Sequence, residues 1–191
     1  MKNGFLDQIR NDLKESQIDW KVIISFIPIA FLTYLFHELG HWALGEMLGN
    51  DMTLTLNNST PKNGCFIHES HALWSAIGGP LFTIIQAGIF LLITGKTKSV
   101  FTYSMLFMAV FSRFFSIVFG GINRQDEARI ASMLPINHYI MTATVLIILG
   151  LIWWKGNRIM ELNLKASGYF VVLGVVSMLM VIGVNATIRI R

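Results

Sequence analysis

Three ionisable side chains interrupt the apolar run "FLTYLFHELGHWALGEMLG", residues 31–49: His37, Glu38 and His41. At about 100° per residue, the two histidines lie roughly 40° apart on one helical face, a single turn from each other. Glu38 flanks that face, whereas Glu46 falls roughly 180° from His37 and is directed away from it. The pattern is H-E-x-x-H, in which two imidazoles bind zinc and the carboxylate serves as general base. Burying these groups in hydrocarbon is costly unless they are paired, and a divalent cation pairs both imidazoles while attracting the carboxylate. Zn²⁺ is therefore the expected cofactor, with His37 and His41 as ligands.

A hydrolytic zinc site takes a third protein ligand and leaves its fourth position for water. The longer pattern that supplies a third histidine from the same helix fails here, because Leu44 and Met47 occupy its glycine and histidine positions. The ligand must come from another segment, with Asp126, Glu127, His68 and His71 as candidates. Asp126 is the first choice, since it follows the third apolar block and could reach back among the helices. Arg113 also lies within an apolar block. It could pair with Asp126 or Glu127 or stabilise an oxyanion, but snorkelling toward headgroups is the commoner fate of such a residue.

The elements that must position these residues are membrane spans. Hydrophobic residues make up 53% of the 191 positions and charged ones only 14%, a balance outside the range of a soluble domain of this length. The apolar residues form long blocks at Val22–Leu48, Ala72–Thr94, Val100–Gly120, Tyr139–Trp154 and Tyr169–Val184. Most approach or exceed the roughly 20 residues that cross a bilayer as a helix. The expectation is an all-α multipass membrane protein with about five transmembrane helices. Residues 1–21 form an amphipathic interfacial segment, with Phe5, Ile9, Leu13 and Trp20 on its apolar side, and residues 22–191 form the polytopic domain. The first block is too long, and too far from the start, for a cleavable signal.

Between the first two spans, "DMTLTLNN" alternates apolar and polar residues, "STPKNG" carries turn chemistry, and "CFIHES" can run extended again. A small surface β-hairpin is expected there. Cys65 is the only cysteine, so no internal disulfide exists. The formal charge of +4 comes from basic residues scattered through connecting segments, which argues for topology and against nucleic acid. More of them lie on the N-terminal side (Lys2, Arg10, Lys14, Lys21, Lys96, Lys98, Lys155, Arg158, Lys165) than opposite (Lys62, Arg124, Arg129, Arg189, Arg191). That bias favours a cytoplasmic N-terminus, with the histidine cluster toward the outer face. Trp153, Trp154 and Lys155 read as an interfacial anchor.

"HELGH" in the first apolar helix, a hairpin-like stretch, "AIGGP" in the second span and an aspartate near a later helix resemble, over about residues 32–134, the site-2 protease family. Those are intramembrane zinc metalloproteases that cut transmembrane or membrane-proximal segments of other proteins. The resemblance implies His37, His41 and Asp126 as zinc ligands and Glu38 as catalytic base. It also implies a membrane protein or membrane-bound peptide as substrate. The expected location is integral and multipass, in the cell membrane. The strand around Thr55 could receive an extended substrate by edge pairing. Gly79 and Pro80 would loosen the second helix beside the site, or serve close packing. The chain departs from the family in carrying Thr83 where an asparagine is frequent and "QDEAR" where an Asp-Gly pair is usual. A metal-binding or transport protein, or a catalytically inactive substrate-binding relative, is the competing expectation. The absence of a visible inverted repeat weakens the transporter.

Overall fold

The computed structural model describes residues 4–189; Lys2 and Arg191, counted in the charge bias, lie outside them. Seven helices and one hairpin follow in order: α1 (Phe5–Glu15), α2 (Trp20–Met47), β1 (Met52–Thr55), β2 (Asn58–Pro61), α3 (Glu69–Thr97), α4 (Val100–Gly120), α5 (Asp126–Met133), α6 (His138–Met160) and α7 (Leu164–Arg189). A 3-10 turn, Ile122–Arg124, joins α4 to α5. α2, α3, α4, α6 and α7 are long and apolar enough to cross a membrane. The expected multipass helical fold with a hairpin after the first span is present.

Local sequence sets the helix ends. The Asp19 carboxylate accepts from Val22 N at 2.8 Å and caps α2, whose last turn leads to Gly49 at φ +85°. Asn137 caps α6 in the same way, accepting from Tyr139 N at 2.8 Å. α2 has 28 residues and so runs about 42 Å, well beyond the roughly 30 Å of hydrocarbon. Its histidines therefore sit in the last two turns but one, still within the bundle.

α4 is the central helix. Tyr103 and Phe107 of α4 pack with Phe26 of α2 and Phe170 of α7, at ring-centroid distances of 4.9–6.3 Å. Among the described residues, α6 and α7 both lean on α4 and make no close backbone contact with each other. Their outward faces leave Ile147, Leu151, Val172 and Leu179 exposed, as lipid-facing helices do.

Several local expectations change. Trp20 opens α2 instead of belonging to α1, and α1 docks on α7, where Lys165 Nζ meets Asp12 Oδ1 at 3.2 Å. The hairpin turns at Leu56–Asn57, with Met52 opposite Pro61 and Thr55 opposite Asn58, so its second strand runs into the "PKNG" stretch and ends at Pro61. "CFIHES" is not a strand, and its last two residues already begin α3. Trp153 turns inward, donating from Nε1 to the Tyr103 hydroxyl at 3.2 Å; Trp154 stays exposed under the Arg158 guanidinium.

Candidate metal centre

Glycine brings the two site-bearing helices together. A Cβ at Gly40 of α2 would collide with the Gly78 carbonyl of α3, and one at Gly78 would collide with the Gly40 carbonyl. The backbones therefore touch between His37 and His41. One residue on, a Cβ at Gly79 would strike both imidazoles. α3 stays helical through Gly78, Gly79 and Pro80, all buried, so this stretch acts in close packing and does not unwind the helix.

The same face of α3 presents Ser75, Gly79 and Thr83 at intervals of four, and each meets the histidines. His41 Nδ1 donates to the Ser75 carbonyl at 2.7 Å, while Ser75 Oγ donates to the His41 carbonyl at 3.0 Å. Thr83 Oγ1 donates its single proton to the Gly79 carbonyl at 3.1 Å and must therefore accept from His37 Nδ1 at 2.9 Å. Both imidazoles thus carry their proton on Nδ1 and turn a bare Nε2 inward.

Asp126 completes the triangle from another element. α4 ends at Gly120, and Gly121 at φ +83° redirects the chain into the 3-10 turn and α5. The Gln125 side-chain amide donates to the Ser116 carbonyl at 2.9 Å and the Gly121 carbonyl at 3.1 Å, fixing the loop against the end of α4. Asp126 in the first turn of α5 then points into the bundle. His37 Nε2 lies 3.1 Å from Asp126 Oδ2, His41 Nε2 lies 3.4 Å from Oδ1, and the two Nε2 atoms are 3.2 Å apart. Ligands at 2.0–2.1 Å on a tetrahedral zinc stand about 3.3–3.4 Å from each other, so this spacing suits one small cation at their centre. Three lone-pair atoms this close without a proton among them repel one another. The donor set therefore fits a divalent metal, with His37, His41 and Asp126 able to hold it.

Arg113, expected to snorkel, is instead buried and paired. Its Nη1 donates to Asp126 Oδ2 at 3.2 Å and its Nη2 to Glu127 Oε2 at 2.5 Å. The Arg113 guanidinium is thus the positive charge directly beside the Asp126 carboxylate. Glu127, fully buried, is Arg113's counter-ion and not a member of the triangle. The remaining candidates lie elsewhere. His68 is exposed and stacks edge-on against His71, whose Nδ1 meets Asn50 Nδ2 at 3.2 Å at the base of the hairpin.

A pocket of about 170 Å³ opens on the triangle, with Glu38, His37 and Asp126 in its wall beside Tyr34, Arg113 and Asn57. Glu38 is 8% exposed and lines that pocket. Thr55 does not line it: its hydroxyl donates to the Asn58 carbonyl at 2.9 Å, and the hairpin reaches the pocket through Asn57. Glu46 accepts from Met52 N at 2.8 Å and anchors β1, consistent with its position away from the histidine face. Thr83, read in the sequence only as a departure from a family pattern, and Ser75 and Gln125, which motif reading passes over, also belong to the site. The four-residue period Ser75–Gly79–Thr83 in an apolar span is the signal that marks the first two.

No protein-family model matches this chain, and neither a curated protein nor a solved structure matches it.

Proposed function

We propose that this protein is an intramembrane zinc metalloprotease of site-2 protease type. It hydrolyses peptide bonds in or near transmembrane segments of other membrane proteins, and works in the cell membrane. The observation that carries this reading is the triangle of His37 Nε2, His41 Nε2 and Asp126 carboxylate oxygens beside Glu38 in a polar pocket.

When bound, zinc lowers the pKa of its water toward about 7 and polarises a carbonyl. Glu38 accepts the proton of the attacking water and returns it to the leaving nitrogen as the peptide bond breaks. Thr83 and Ser75 hold the imidazoles in the tautomer that leaves Nε2 free. Arg113 braces Asp126 and neutralises Glu127. A helical substrate hides its carbonyls in its own hydrogen bonds, so it must unwind before entering the pocket.

Purified protein should carry about one zinc per chain. Glu38→Gln should keep that zinc and lose cleavage of a membrane-embedded substrate by at least about 10²-fold. Unchanged cleavage by this variant would sink the proposal. Zinc binding without cleavage in either form would favour an inactive relative. The separation of His68 and His71 from the triangle leaves a relay of metal sites without support, so transport is not favoured.

A further inference from the structure

The pocket at the triangle meets a second, larger one. This neighbour, of about 310 Å³, lies between α2, α4 and α7, with Phe115, Phe119 and Ile182 as its apolar wall. Both spaces share Tyr34, Ser116, Arg124 and Gln125, so those residues form the threshold between a polar chamber and an apolar vestibule. Two cationic side chains face the polar chamber. Arg113 is committed to Asp126 and Glu127. Arg124 has no hydrogen-bond or ion-pair partner for its side chain among the described residues, and Gln125 is occupied by α4 carbonyls. Arg124 is exposed at this threshold, where its guanidinium is a planar fork able to meet a carboxylate.

We infer that Arg124 selects the substrate: an apolar peptide segment bearing a carboxylate next to the bond to be cut. The inference rests on the protease reading and specifies its substrate class. The apolar residues of such a segment fill the vestibule against Phe119 and Ile182. Its carboxylate meets Arg124 at the threshold, and the adjoining peptide unit reaches Glu38 and the triangle. The carboxylate is either an Asp or Glu side chain or the free C-terminus of the segment. Asn57 of the hairpin turn, which shares the polar chamber, supplies a carboxamide on its far side.

The test uses Glu38→Gln protein, which cannot turn over, in nanodiscs of uncharged phosphatidylcholine. Fluorescent apolar helical peptides carry Asp, Asn or Lys near one end, each with a free or an amidated C-terminus. Anisotropy reads their binding. The expected result is about tenfold tighter binding of carboxylate-bearing peptides, lost on adding Arg124→Gln and turned toward the Lys peptide by Arg124→Glu. The Asp/Asn and free/amidated comparisons identify which carboxylate is read. Equal binding of acidic and neutral peptides, or a preference that survives Arg124→Gln, would overturn this inference alone and leave Arg124 to lipid headgroups. Wild-type cleavage of these peptides regardless of charge would do the same. Failure of every peptide to bind, together with no cleavage by the wild type, would overturn the protease reading as well.

Discussion

Thr83 has one hydroxyl proton, and the Gly79 carbonyl takes it. That single allocation decides which nitrogen of His37 faces Asp126. Thr83→Val removes the acceptor for His37 Nδ1–H, frees the ring to turn or to change tautomer, and should weaken zinc binding about 10–100-fold. Thr83→Ser should bind zinc nearly as the wild type does. Competition titration against a chromophoric chelator measures both, and equal affinity in the valine variant would remove Thr83 from the site. The H-E-x-x-H residues were legible in the sequence because their chemistry and their shared face are both local, four positions apart on one helix. Thr83 read only as a departure from a family pattern, since its partner lies 46 positions away on another helix. Arg113 was misread for the same reason. An arginine inside a span has snorkelling as its default, and only the return of the chain through Gly121 and Gln125 brings two carboxylates within its reach.

At the scale of the elements, the α2–α3 crossing governs everything above it. Gly78→Ala places a methyl group against the Gly40 carbonyl, with His41 N only 3.0 Å away. Neither is a flexible side chain that can yield. The helices must separate, and the substitution should cost about 1–3 kcal/mol or more and release zinc with it. Gly88→Ala, two to three turns further along α3, meets nothing within 4 Å and should leave stability unchanged or raise it by about 0.4–1 kcal/mol. Thermal unfolding in detergent, with zinc measured before heating, compares the pair. Similar behaviour of both variants would mean that the crossing does not set the site. The spans were readable because hydropathy and length act block by block. The hairpin was readable in existence but not in register. Its turn, Leu56–Asn57, has no glycine and no left-handed residue, while the stronger signal in "PKNG" belongs to Gly64 at φ +76°, beyond the second strand.

Across the whole molecule, the polar chemistry gathers at one end of an otherwise apolar bundle. Cys65, the only cysteine and an exposed one, lies on that same end between the hairpin and α3. The excess of basic residues at the other end leads to a definite outcome: a membrane-impermeant maleimide should label Cys65 in intact cells, and Cys65→Ser should abolish the signal. Labelling only after permeabilisation would reverse the assigned orientation and put the pocket beside His37, His41 and Asp126 on the cytoplasmic side.

The opposite end holds a joint of a different kind. Asp12 of α1 meets Lys165 and, at 3.4 Å, the Tyr169 hydroxyl of α7, partners 153 and 157 positions away. α1 is thus fastened to the last helix as well as linked to the first. One 26-residue helix carries the α1 joint near one end and, near the other, Ile182 in the wall of the apolar vestibule.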